Sequence, residues 1–155
     1  MMRGLLRGAA AGAAGTTALD AVTYADMALR GRPASSTPER SIESLAGAVG
    51  LGVPGDRATR ENRLHGLGAF AGIATGVGVG ALLGVARELG WRPRPLTGGL
   101  AVAGAALVAA NGPMVVLGIT DPRTWSTADW IADLVPHLAY GLVTYATLAA
   151  TDHAE

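Results

Sequence analysis

The chain contains no cysteine, and its twelve basic residues are all arginine, so lysine is missing too. Without cysteine there are no disulfides, no thiolate nucleophile, no cysteine-ligated zinc or iron–sulfur centre and no lipid-bearing cysteine. Without lysine no P-loop can reach a nucleotide's phosphates in the usual way. Charged residues make up only 15% of the sequence, and twelve acids balance the twelve arginines. A net charge of zero argues against a nucleic-acid-binding surface. No Gly-x-Ser-x-Gly elbow or other catalytic motif occurs. No enzymatic activity or cofactor is therefore expected, and no metal site is assigned.

What fills the chain is apolar. Half of its 155 residues are hydrophobic, 23 are glycine, and the mean hydropathy is +0.34. Three windows, 64–86, 95–120 and 134–151, lack Asp, Glu and Arg. Each approaches or exceeds the roughly 20 residues that carry a helix across a bilayer core. A fourth stretch near the start is rich in Ala and Gly and carries Asp20. Its arginines, Arg3 and Arg7, precede a poor apolar core, so it reads as the start of a helix rather than a cleaved signal. The expectation is one all-α membrane domain over residues 1–155. It is a four-helix transmembrane bundle with spans near 5–27, 64–86, 97–119 and 130–150.

A soluble helical bundle is the rival. Glycine counts against it, since residues 64–86 hold Gly66, Gly68, Gly72, Gly76, Gly78, Gly80 and Gly84. In water each glycine weakens a helix by about 1 kcal/mol relative to Ala. In hydrocarbon an unpaired backbone is far more costly, so the helix persists.

The long connection from Arg30 to Arg63 opens with breakers. Ser36-Thr37-Pro38-Glu39 then resembles a capping box. Ile42, Leu45, Ala46 and Val49 follow at helical spacing, predicting an amphipathic helix over 37–50 that lies at the membrane surface or docks on the bundle. Asp121-Pro122 forms a turn, and Ser126 with Asp129 caps the last helix. Trp91, Trp125 and Trp130 fall at span ends, as interface anchors do. Four spans put both termini on one side. Arg3, Arg7, Arg87, Arg92 and Arg94 share that side, and the other seven arginines take the opposite one, which does not fix an orientation.

Gly68, Gly72, Gly76, Gly80 and Gly84 recur every fourth residue, and Gly4, Gly8 and Gly12 begin a similar stripe. Such stripes let helix backbones approach closely. They serve packing between the first two spans or an interface between copies. Two windows, Gly66-x-Gly68-x-x-Ala71 and Gly76-x-Gly78-x-x-Ala81, mimic a dinucleotide fingerprint. That motif needs a preceding strand and an exposing turn, neither of which an apolar helix offers.

Polar residues inside spans carry most of the functional information. The first span has Thr16, Asp20, Thr23 and Tyr24. The third has Asn111 beside Pro113. The fourth has Asp129, Asp133 and His137 at four-residue steps, then Tyr140 and Thr144. With a 1.5 Å rise, Asp20, Asn111 and His137 lie about 4–7 Å from midspan, in the same half of the bilayer. Asp20, Tyr24, Asn111, Asp133, His137 and Tyr140 thus form a candidate proton or solute site. Metal binding and a purely structural hydrogen-bond network are the alternatives. Tyr145 reads as packing, His65 as interfacial, and His153 has no assigned role.

The stretch ALDAVTYADMALRGRPASSTPE, the glycine-rich second span and the closing DPRTWSTADWIADLVPHLAYGLVTYATL resemble a family of small, uncharacterised bacterial four-span membrane proteins. A vaguer similarity, carried by Pro136–Gly141, is to YagU-like inner-membrane proteins. The resemblance implies a multi-pass location in a bacterial inner (plasma) membrane and no particular activity. The expected partners are the lipid bilayer and either a second copy or another membrane protein. A structural or accessory role, self-associating through the glycine stripes, is the first expectation. A small proton-coupled transporter or conduit is the alternative.

Overall fold

The structure is a computed structural model that describes residues 1–151; His153 lies outside the described residues. Five α-helices and one short 3-10 turn make up the described chain, with no strand among those residues. They are α1 (Met2–Arg30), α2 (Thr37–Ala48), α3 (Arg57–Glu88), α4 (Pro95–Val116) and α5 (Thr127–Thr151), the 3-10 turn being Pro122–Thr124. The all-α expectation is met, and α3 and α4 are long and apolar enough to cross a membrane.

Helix boundaries follow local chemistry. Asp56 starts α3 by accepting a hydrogen bond from the Thr59 N–H at 2.8 Å. That bond holds the Asp56 carboxyl below the usual carboxylate range. Pro95 opens α4, where a missing N–H costs nothing. Ser126 and Asp129 form the reciprocal capping box expected for α5: the Asp129 N–H donates to Ser126 Oγ, and the Ser126 N–H donates to Asp129 Oδ2 at 2.9 Å. The helix expected over 97–119 ends early, at Val116. Gly118 takes a φ of 66°, and the Ile119 N–H returns to the Met114 carbonyl at 2.8 Å, which closes the helix.

The capping box expected at Ser36 does not form. The Ser36 side chain makes no cap bond, and the Thr37 N–H donates to Ser35 Oγ instead. Glu39, the residue meant to complete the box, turns to His65 on α3, with 3.0 Å between Oε1 and Nδ1. The carboxylate thus joins α2 to α3, and Glu43 does likewise by pairing with Arg60. α2 ends two residues before the expected boundary and rests on α3.

α1 is the hub, packed against both α3 and α5, and α4 packs on the far side of α5. Neighbours run antiparallel. Gly4, Gly8 and Gly12 of α1 meet Gly84, Gly80 and Gly76 of α3 in reverse order. Backbone touches backbone along this seam. A Cβ placed on Gly80 would lie 2.5 Å from the Gly12 Cα, and one on Gly8 would lie 2.8 Å from the Gly84 Cα.

The five-glycine stripe of α3 does not stay on one face. Each four-residue step overshoots a full turn by about 40°. Gly72 has therefore left the seam and faces open space, while Gly68 has turned toward Pro38 of α2. A second close approach joins α4 to α5, where Gly98 lies under the Tyr145 ring and Gly141 sits against Gly99 and Ala103. The largest fully buried side chains, Tyr140, Leu148 and Thr144, all belong to α5.

The seam generates a direct test. Gly80→Ala should destabilise the full chain by about 1–3 kcal/mol through overpacking. Gly72→Ala, which meets nothing, should leave stability unchanged or raise it by up to about 1 kcal/mol. Thermal unfolding in mild detergent measures both.

Candidate functional site

The polar stripe of α5 becomes more buried as it runs inward. Asp129 is exposed at the cap, where bonds from Ser126 hold its carboxyl below the usual range. Asp133 is half-buried, His137 is 9% exposed, Tyr140 is 1% and Thr144 is 0%. Four-residue steps keep these side chains near one helix face, and that face turns into the bundle.

Most of these side chains have a definite partner, the exception being the buried Thr144 hydroxyl, which has none among the described residues. Asn111 Nδ2 donates to Asp133 Oδ2 at 2.8 Å, tying α4 to α5. His137 Nδ1 lies 2.7 Å from the Asp133 backbone carbonyl and 3.5 Å from Asp133 Oδ1. The Tyr140 hydroxyl crosses to α3 and donates to the Gly76 carbonyl at 2.6 Å. It can do so because Gly76 and Gly15 carry no side chain: the space a Cβ would need at Gly76 holds Thr16 Oγ1 and the Tyr140 ring. Thr16 in turn donates to the Gly12 carbonyl at 2.9 Å.

Asp20 and Tyr24 stand differently. The antiparallel register that sets Gly15 against Tyr140 and Thr144 carries Asp20 to the level of His137. It is half-buried there and joins no hydrogen bond or ion pair among the described residues. Tyr24 is 63% exposed and does not join the cluster. Eight residues past Thr16, it has rotated by about 80° away from the inward face.

A groove of about 250 Å³ opens between α4 and α5 beside the Asn111–Asp133 pair. Its walls include Leu107, Val108 and Val115, with Trp125 and Trp130 at its rim. Those two rings meet at a tilt of 59° with centroids 5.0 Å apart, and Trp125 Nε1 donates to Thr120 Oγ1 at 2.8 Å. Trp91 sits at the opposite end of the bundle, edge-on to Tyr145 at 6.2 Å. No three acidic or histidine side chains converge on a point that would hold a metal ion among the described residues.

No protein-family model, curated protein or solved structure matches the chain.

Two contacts escape sequence reasoning. Tyr145 donates to the Pro93 carbonyl at 2.5 Å, closing the α3–α4 connection onto α5. Glu88 folds back on the start of α1: its Oε1 accepts the Gly4 N–H at 2.7 Å, and its Oε2 lies 2.5 Å from the Met1 ammonium. A residue 84 positions away thus satisfies a helix-terminal donor. The sequence held one clue, since Glu88 is the lone acid near Arg3, Arg7, Arg87, Arg92 and Arg94.

Two tests arise here. Asn111→Leu and Asp133→Leu, singly and combined, should show a favourable coupling of about 0.6 kcal/mol, and at most about 1.7, in a double-mutant cycle. Independent effects would remove the tie between α4 and α5. The second test concerns pH. The Met1 ammonium's hydrogen bond, then the Gly4 N–H and the Met1 and Arg7 charges, hold the Glu88 carboxyl below its usual range. Its folded pKa lies below the unfolded one. The stabilisation is therefore complete above the ordinary carboxylate pKa and is lost as pH falls through the depressed value. Thermal midpoints should fall with acid over that window, and Glu88→Gln should flatten this part of the profile.

Proposed function

We propose that the chain is a four-span integral membrane protein of structural or accessory type, with its intramembrane polar residues serving as ties between helices. One observation carries the membrane part. In the apolar stretches of α3 and α4 only 17% and 22% of residues are buried inside the protein. The core helix of a soluble protein is mostly buried, whereas here the apolar side chains point outward. Phe70, Leu82 and Val108 are each about 70% exposed, and Val135 and Leu142 extend the apolar surface onto α5. Lipid is the solvent that suits such a surface. α3 is also long enough, at 32 residues, to exceed the span of roughly 20 residues that a bilayer core requires.

Packing supports reading two further helices as spans. α1, with 29 residues, and α5, with 25, lie antiparallel to α3 and α4 along most of their lengths. A bilayer that covers α3 and α4 covers them too. α1 falls short in hydropathy because it is built of Gly and Ala, which its position between two helices calls for. The bacterial inner-membrane location rests on the resemblance around Pro136–Gly141.

The structural role is supported by where the polar groups go. Asn111, Asp133, His137 and Tyr140 each bond to another helix or to their own backbone. The seam engages Gly8, Gly12, Gly76, Gly80 and Gly84 within one chain. Self-association through glycine then falls to the outward positions Gly66, Gly72 and Gly78. A conduit is the second reading, and it draws on Asp20 and the groove beside Asp133.

The combined variant Asp133→Asn with His137→Gln separates the two readings. A structural role predicts a clear loss of thermal stability in detergent and no proton flux above empty liposomes for the wild-type chain. Unchanged stability together with pH-dependent flux would favour the conduit.

A further inference from the structure

The groove between α4 and α5 brings a carboxylate, two indole rings and an apolar wall to one place. Asp133 is the one ionisable residue in its lining. We infer that this groove binds a small amphiphilic organic cation, a quaternary or protonated amine with a short alkyl chain. The inference goes beyond the accessory role proposed above and requires no transport.

Charge comes first. Asp133 is half-buried in the groove wall. Asn111 donates to its Oδ2, an uncharged contact that leaves the carboxylate's charge in place. Its Oδ1 accepts no hydrogen bond among the described residues: His137 Nδ1 stands 3.5 Å away and lies closer to the Asp133 carbonyl, at 2.7 Å. No arginine among the described residues pairs with Asp133, whereas Asp26, Glu43 and Glu61 at the same end each hold at least one. A carboxylate in surroundings of low dielectric attracts a cation more strongly than one in water.

Aromatic faces come second. Trp125 and Trp130 both line the groove, with their rings set at 59° to one another. Two rings at an angle form a corner, and an ammonium group over an indole face is attracted by the ring's quadrupole. The corner is preorganised, because Trp125 Nε1 is tied to Thr120 Oγ1. Trp130 is 39% exposed, which leaves part of its ring open to a ligand.

The remaining walls choose among cations. Leu107, Val108 and Val115 offer no side-chain oxygen to replace a metal ion's water, and no three acidic or histidine side chains converge among the described residues. These walls suit an alkyl chain instead. Val108 and Val115 are exposed, so the chain can lie along the open side of the groove. A neutral apolar molecule would leave the Asp133 charge without a counterion, and an anion would be repelled by it. Drug-sized ligands occupy pockets of roughly 300–1,000 Å³, so a space of about 250 Å³ selects a smaller occupant.

The test titrates the full chain, purified in a neutral detergent, with hexyltrimethylammonium, 1-hexanol or hexyl sulfate. The three share an alkyl chain and differ in the charge of the head. Tryptophan emission reports on the groove, and Trp91→Phe removes the signal from the opposite end. Hexyltrimethylammonium should change the emission saturably, and the other two should not. Asp133→Asn keeps the shape of the side chain without its charge and should weaken the apparent affinity about ten-fold or more. Trp130→Leu, with Trp125 as reporter, should weaken it roughly two- to thirty-fold, the range of one cation–π contact. Val108→Trp should block the groove. Asp133 also ties α5 to α4, so thermal midpoints are followed alongside. If Asp133→Asn loses its fold, Trp130→Leu and Val108→Trp, at exposed positions, decide the outcome.

An equal response to 1-hexanol would reduce the groove to an apolar surface and overturn the inference. Unchanged affinity in a folded Asp133→Asn would do the same. Dihexanoylphosphatidylcholine carries the same ammonium head on a phospholipid, and its tighter binding would overturn the small-ligand assignment in favour of a lipid headgroup. Saturable binding of hexyltrimethylammonium by a protein that conducts no protons in liposomes supports this site and the accessory role together.

Discussion

Contact between the backbones of α1 and α3 is the constraint on which the rest of the structure depends. Along the seam, glycine meets glycine, so two helix axes approach more closely than any side chain would allow. That approach makes α1 thin enough to serve as a hub between α3 and α5. It also exposes the Gly76 carbonyl to the Tyr140 hydroxyl from α5. A third helix is thereby tied into the seam by a bond that would be blocked by a Cβ at Gly76. The same economy of side chains recurs where Gly98, Gly99 and Gly141 bring α4 onto α5.

Helices joined in this way gain little from apolar burial. The buried residues are few and many are small, among them Ala11, Ala103 and Ala106. Dispersion between close backbones and hydrogen bonds between helices take the place of a large core. This balance fits the proposed membrane setting, since lipid offers no hydrophobic drive toward association. The Asn111–Asp133 bond, the His137 contact with the Asp133 carbonyl and the Tyr140 bond then become principal ties.

The two ends of the bundle have different chemistry. One gathers arginines around Glu88 and the start of α1. The other pairs Arg30, Arg32, Arg57 and Arg60 with acids and carries Trp125 tilted against Trp130 beside an apolar-walled groove. Tyr140, Thr144 and the glycine seam fill the space between. The bundle is closed at its middle and distinctive at its ends.

Much of this was determined by sequence alone. Helical type, the capping box at Ser126 and Asp129, tryptophans at both ends and an inward polar stripe on α5 all follow from spacing within one helix. The physical reason is that a regular helix fixes the relative direction of its own side chains. Sequence could not fix how far each helix turns about its axis when it meets another. Only tertiary structure decided that Gly72 leaves the seam while Gly76 stays, that Tyr24 faces out while Thr16 faces in, and that Glu39 abandons its cap for His65. It also decided that Glu88 would close the start of α1 from 84 residues away, because the energy of such a pair depends on packing that no local spacing records.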